Sequence, residues 1–204
     1  MGRAGERGGA GDTREAILDA AEAFLSRGGR LRELTITALM EPIPVSREAF
    51  YRHFSSRYEL IAALMGRFSA DVAPGFELWL RGGDPARDVR SMFEAVSHAY
   101  VRRAQVLRAV VDAAPLDPDL EGLWHGFLES FIDPAARRIA TDQERGVASR
   151  SVDARLAAAA IVHLVERLIT QELARPHPPS RQQVADVLTH AMAGMVYPLS
   201  TASG

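Results

Sequence analysis

Val45-Ser46-Arg47-Glu48-Ala49-Phe50-Tyr51-Arg52-His53-Phe54 is the stretch on which the reading of this chain turns. It reads as a short helix with two unlike faces. Ser46 suits the N-cap, because its hydroxyl can accept a hydrogen bond from a backbone N–H that the first turn leaves unpaired. Phe50 and Phe54 lie four apart and share one face, which anchors the helix to a core. Arg47 and Tyr51 share another face, with Arg52 and His53 beside them and Arg57 close behind. Guanidinium groups bind phosphate or guanine edges through two parallel hydrogen bonds, and tyrosine hydroxyls reach phosphate. Charge spacing alone fits an ordinary solvated helix face as well.

Upstream, residues 12–27 have the spacing of an amphipathic helix, capped by Asp12 or Thr13 and ended by Gly28-Gly29. Residues 35–41 give a second, shorter helix before the quoted one. Together these stretches resemble the DNA-binding end of the TetR family of repressors, whose first helix and helix-turn-helix lead to a phrase of the form Y-x-H-F-x-S-K-x-x-L. Arg14, Ile17, Leu18, Ala20, Ala21, Phe24 and Gly28 stand in the places of the first helix. Thr35 matches the threonine that caps the second helix, and Leu39 its apolar core position. Tyr51, His53, Phe54, Ser56 and Leu60 complete the phrase, with Arg57 where the family usually has lysine.

The resemblance implies that Arg47, Glu48 and Tyr51 face the major groove while Thr35, Arg52, His53 and Arg57 clamp phosphates, with Ser46 at the head of the helix. Glu48 has two readings: it accepts from cytosine N4, or it merely favours the helix N-terminus. The chain departs from the family between Gly28 and Thr35, where the connection is longer. In the turn, Ile43-Pro44, preceded by Pro42, replaces Ala-Gly. Proline holds φ near −65° and restricts the residue before it, so the second helix should end by Glu41 and the turn must take another path.

The totals bound the alternatives. With 204 residues, 47% of them hydrophobic, the chain can bury a sizeable core. No cysteine is present, so there is no disulfide framework, thiolate metal site or cysteine nucleophile. No apolar run approaches the ~20 residues of a membrane span, and the polar, Gly-rich start lacks the apolar core of a signal peptide. A cytoplasmic protein is the simplest expectation. The net charge of −2 argues mildly against nucleic acid, and residues 1–60 balance at nine arginines to nine acids. The signal is local: residues 46–57 carry Arg47, Arg52 and Arg57 against Glu48 alone. Such a patch serves a helix that touches few phosphates, and a two-fold dimer doubles it.

Apolar spacing predicts an all-α chain of nine or so helices. Residues 1–11 read as a disordered tail, with a basic DNA-following arm as the alternative. Residues 12–57 form the helix-turn-helix domain, and 58–204 a helical ligand-binding and dimerisation domain. A helix from Ser55-Ser56 carries Leu60, Ile61, Leu64 and Phe68 and should break or kink at Pro74-Gly75. Helices follow from Asp84-Pro85 to Tyr100 and over 105–114. The next, with Leu120, Leu123 and Leu128, should bend at Pro134. Helices over 154–174 and 181–196 are separated by Pro176, Pro178 and Pro179. The segments Gln143-Glu144-Arg145-Gly146 and Val165-Glu166-Arg167 resemble the actinobacterial EthR-like branch of the family.

Trp79, Phe93, Tyr100, Trp124, Phe127 and Phe131 have two readings. They pack a core, or they line an apolar effector cavity of the kind the resemblance implies. His98, His125 and His163 could orient a ligand but lack metal-ligand spacing; no metal or cofactor is expected. The Asp117-Pro118-Asp119 acids read as a solvated turn. The apolar stripes Leu156, Ala159, Ala160, His163, Leu164 and Val184, Val187, Leu188, Ala191 suit a homodimer closed by the last two helices. Such a dimer would match a pseudo-palindromic double-stranded operator with half-sites about one helical turn apart. The reading is therefore a ligand-responsive, DNA-binding repressor and not an enzyme. The alternative is a helical carrier or enzyme that has lost DNA binding, for which the proline turn is the support.

Overall fold

The computed structural model of the chain describes residues 6–172 and 177–197. Among these the fold is all-α, as expected. The helices are α1 (Glu6–Ser26), α2 (Ile36–Met40), α3 (Arg47–His53), α4 (Arg57–Arg81), α5 (Pro85–Ala113), α6 (Pro118–Glu144), α7 (Ala154–Arg167) and α8 (Arg181–Met195). Short 3₁₀ turns lie at Leu31–Glu33 and Ala114–Leu116, and a π-turn at Leu168–Glu172 closes α7. The nine expected helices are these eight with α5 counted twice, because Arg103 interrupts it at φ −128°, ψ 15°. Helix α1 begins at Glu6 and not Asp12, so part of the segment expected as tail is helical; residues 1–5 lie outside the described residues. So do residues 173–176, where the expected helix over 154–174 was to end.

Packing divides the chain into two compact units. The first joins the chain up to Arg67 with Gln105–Trp124, and the second joins Phe68–Ala104 with the chain from His125 onward. This differs from the boundary expected at residue 57. Leu60, Ile61 and Leu64 of α4 are buried at 0–2% exposure and complete the core of the first unit, so the start of α4 packs with what precedes it.

In the first unit, α2 and α3 are far too short to hold as isolated helices. Tertiary burial and caps hold them. Ile17, Leu18, Ala21 and Leu25 of α1, Leu39 of α2, and Phe50 with Phe54 share one core. Gly28, at φ 89°, closes α1 with its N–H on the Leu25 carbonyl at 3.0 Å; an L side chain is strained at that φ. Arg67 ties α4 to α1 through Asp19 at 2.8 Å and Glu22 at 3.2 Å, together with Glu15.

The second unit buries Phe68, Val72 and Trp79 of α4, Phe93 and Tyr100 of α5, Ile132 and Ile139 of α6, Ile161 of α7 and Leu188 of α8. Helix α4 runs on through Pro74-Gly75, so of the break or kink expected there the break does not occur. Pro74 is exposed, so its ring meets solvent, and the lost hydrogen bond is one among many. Gly75 marks where α4 crosses α5. A Cβ there would lie 2.7 Å from the Ala95 Cβ and 3.3 Å from the Met92 Cα. Helix α6 likewise contains Pro134 within a continuous span.

A buried polar cluster closes the end of α4. Arg138 Nε donates to Asp142 Oδ2 at 2.7 Å, and its Nη1 donates to the Trp79 carbonyl, one of the last carbonyls of α4 that no helical N–H can reach. Tyr197 donates its hydroxyl to the same Asp142 oxygen at 2.8 Å. Burial and that carboxylate hold the Tyr197 hydroxyl well above the usual tyrosine range. The Gln143 side chain donates to the carbonyls of Ser149 and Val152, both at 2.8 Å, and pins the loop before α7.

Candidate nucleic-acid interface

Each short helix of the head begins at a side-chain cap. Thr35 Oγ1 accepts from Ala38 N at 3.2 Å, and Ser46 Oγ accepts from Ala49 N at 3.1 Å. Helix α2 ends at Met40 with Glu41 as its C-cap, as the prolines demand. The turn runs through Pro42, Ile43 and Pro44 with no positive φ and no cis bond. It is held by Ile43 N on the Met40 carbonyl at 3.3 Å and Val45 N on the Ile43 carbonyl at 2.8 Å. Two close backbone bonds thus replace the glycine freedom of the usual turn.

Helix α3 divides as its sequence indicated. Phe50 and Phe54 are each 1% exposed, with ring centroids 5.7 Å apart. Arg14 stacks its guanidinium over the Phe54 ring at 5.3 Å. The opposite face presents Arg47, Glu48, Tyr51 and Arg52 to solvent, with His53 half-buried at the last turn. Tyr51 packs edge-on against Phe50 at 5.6 Å, so its ring is steadied while its hydroxyl stays outside. Arg52 pairs only loosely with Glu48, at 3.9 Å, and an exposed pair of that length holds neither group back. Helix α4 opens with Ser56 Oγ accepting from Glu59 N at 3.3 Å. Glu59 accepts from Ser55 N at 2.7 Å and from its hydroxyl at 2.8 Å, contacts that hold the Glu59 carboxyl below the usual range.

Arg57, expected at phosphate, has partners within the chain. Its guanidinium donates to Asp117 Oδ2 at 2.6 Å and to the Tyr58 hydroxyl at 3.0 Å, and lies 4.8 Å from the centre of that ring. Tyr58 in turn donates to Asp117 Oδ2 at 3.0 Å. In this conformation Arg57 pairs with Asp117 while its side chain remains 45% exposed. Asp117 is correspondingly not an idle solvated acid. It also accepts from Leu120 N at 3.3 Å, capping α6. Partial burial pushes its carboxyl up, but Tyr58, the Leu120 N–H and Arg57 outweigh this and hold it below the usual aspartate range. Tyr58 and Asp117 were missed in the sequence because nothing local links residues so far apart.

In the second unit Trp79, Phe93 and Tyr100 are fully buried, and Phe127 and Phe131 half-buried. The rings form a run: Trp79 to Phe76 at 5.8 Å, Phe76 to Phe131 at 5.6 Å, Phe131 to Phe127 at 5.3 Å, and Phe127 to Phe68 at 6.1 Å. Phe76 and Phe68 join a set that sequence spacing had not included. Trp124 falls at the end of the first unit instead. His98, His125 and His163 all lie exposed: His98 Nδ1 is 2.9 Å from Arg181, and His125 is 3.8 Å from Glu129. They do not turn inward to orient a buried ligand, because each sits on the outer side of its helix.

A capped, core-anchored short helix offering arginine and tyrosine, set in a helix-turn-helix, defines a DNA-binding regulatory protein. Residues 17–64 match the family of bacterial regulatory proteins of the TetR type, and residues 89–198 match the C-terminal domain of the transcriptional regulator EthR. The HTH-type transcriptional regulator EthR of Mycolicibacterium smegmatis is 26% identical over 198 residues, covering 94% of this chain and 91% of its own. EthR of Mycobacterium tuberculosis is 28% identical over 196 residues, covering 92% and 88%. Among solved structures, a TetR-family regulator from Rhodococcus sp. superposes with TM-score 0.72 at 23% identity, over 91% of this chain and 98% of that one. A SmeT–triclosan complex gives 0.71 at 18%, over 93% of each chain, and a Saccharomonospora viridis regulator with choline gives 0.69 at 18%, over 93% and 100%. The chain belongs to the TetR family of transcriptional regulators, with an EthR-type C-terminal domain.

Proposed function

We propose that this regulator is a homodimeric repressor released from its operator by a small, largely apolar effector. The observation that carries the DNA part is the outer face of α3, where Arg47, Tyr51 and Arg52 stand exposed on a helix fixed by Phe50 and Phe54. Arg47, Glu48 and Tyr51 read base edges, while Arg52, His53 and the head of α2 at Thr35 contact phosphate. The chain would act in the cytoplasm, where its operator lies; among the described residues no helix is long and apolar enough to cross a membrane.

Dimerisation is assigned to α7 and α8. Leu156 is 71% exposed and Val187 54%, and Ala160 lies open beside them. Val184 and Leu188, by contrast, fill the unit's own core. A second copy seated on Leu156 and Val187 would cover that apolar surface. The effector is assigned to the aromatic run about Trp79, Phe131 and Phe127, a setting suited to an apolar molecule. Solved complexes of the same fold with triclosan and with choline support a small-molecule effector as such. The effector acts only through its different affinity for the DNA-competent and incompetent states, and α4, which follows α3 directly, is the element placed to couple them.

The test is binding to a fragment of the gene's own upstream region across a salt series, with the Arg47→Ala/Tyr51→Phe protein alongside. Saturable, selective binding that weakens with salt and drops in the variant, at unchanged dimer size, supports the assignment. Equal affinity of variant and wild type removes it.

A further inference from the structure

A cavity lies in the first unit, the unit that also contains α3. It encloses about 720 Å³, within the range of small-molecule sites. Its walls are the end of α1, the first 3₁₀ turn, the start of α4, and the α5–α6 corner. Two features give it a chemistry. Leu25, Leu31, Ile61, Ala109 and Leu120 supply an apolar floor. Leu116, on the tight Ala114–Leu116 turn, also lines it while remaining 85% exposed, an apolar side chain left without cover.

The charged lining is unbalanced. Arg30, Arg32, Arg57 and Arg108 face Asp112 and Asp117, four cations to two anions. Arg57 and Asp117 satisfy one another. Arg108 meets Asp112 only at 3.7 Å and Arg32 meets Glu33 only at 3.8 Å, both in exposed pairs of little strength. Among the described residues Arg30 has no carboxylate partner. The cleft therefore holds surplus guanidinium donors at its rim above an apolar floor.

We propose that this cleft binds an amphipathic anion, a carboxylate with an aliphatic tail. The head group would sit on Arg30 and Arg108, where a planar carboxylate meets the guanidinium fork. The tail would lie against Leu25, Leu31 and Leu116. This site is separate from the effector site assigned to the second unit and stands or falls independently of it.

Calorimetric titration of the DNA-free protein with sodium octanoate, and with 1-octanol as the uncharged partner of equal chain length, tests it. Octanoate should bind saturably and octanol at least about tenfold more weakly, since loss of charge-assisted bonds costs that much. Arg30→Gln/Arg108→Gln should weaken octanoate by about tenfold or more, and Ala109→Trp, which fills the floor, should abolish it. Both arginines are exposed, so the double variant should melt like the wild type. Absence of saturable binding, equal affinity for octanol, or octanoate binding untouched in Arg30→Gln/Arg108→Gln would each overturn the proposal.

Discussion

Arg57 stands where the family's lysine would, yet Asp117 and Tyr58 hold it within the chain. That placement has a measurable consequence for the salt dependence of operator binding. Each phosphate neutralised on duplex DNA contributes about 0.9 to the slope of log K against log salt. If Arg57 stays on Asp117, Arg57→Gln leaves that slope unchanged. Asp117→Asn removes the competing charge and frees one guanidinium per subunit. In a dimer the slope should then steepen by about 1.8, which between 50 and 200 mM salt is a further loss of about twelvefold in affinity. The double variant should return to the slope of Arg57→Gln. Fluorescence anisotropy with a labelled operator at several salt concentrations reads all four proteins. A slope shallower by about 1.8 in Arg57→Gln alone would refute the reasoning, because Arg57 would then have left Asp117 for the DNA. The Asp117 carboxyl is held below its ordinary value, so its contribution is whole at neutral pH. It is lost only as pH falls through that lowered value, beneath the ~3.9 of a free aspartate. The wild-type slope should therefore show no change from this pair between pH 6 and 8.

Other outcomes follow from packing. Phe50→Ala deletes a ring that is 1% exposed and should cost about 3–5 kcal/mol in chemical denaturation, abolishing DNA binding through loss of the head. Gly75→Val pushes a side chain against Ala95 and Met92 and should lower stability by about 1–3 kcal/mol, read as a drop in the melting temperature. Asp142→Ala strands the buried Arg138 and should cost about 3–5 kcal/mol, while Arg138→Met/Asp142→Leu should recover much of the loss; a double variant no more stable than the single would contradict a stranded charge.

Much of the head was legible because its determinants are local. A capping hydroxyl needs only the next turn, so Thr35 and Ser46 could be assigned from position, and both accept the bonds expected of them. The Phe50–Phe54 spacing fixes which side of α3 is buried, and with it which side carries Arg47 and Tyr51 outward. The prolines at 42 and 44 likewise dictated where α2 ends. Pro74 does not end α4 for the complementary reason: proline propensity is a local penalty, and the packing of α4 on α5 at Gly75 outweighs it.

The sequence by itself determined the helical class, the two caps, the sidedness of α3 and the family, since each is written in spacings of three or four residues or in a contiguous motif. Only the tertiary structure decided what Arg57 binds, that Asp117 is its partner sixty positions away, and that Arg138 and Tyr197 converge on Asp142. It alone placed Phe76 among the aromatic rings and gathered the surplus arginines about one cleft. Such pairings depend on how helices distant in the chain are laid together, and the periodicity of a single helix carries no record of which face of another it will meet.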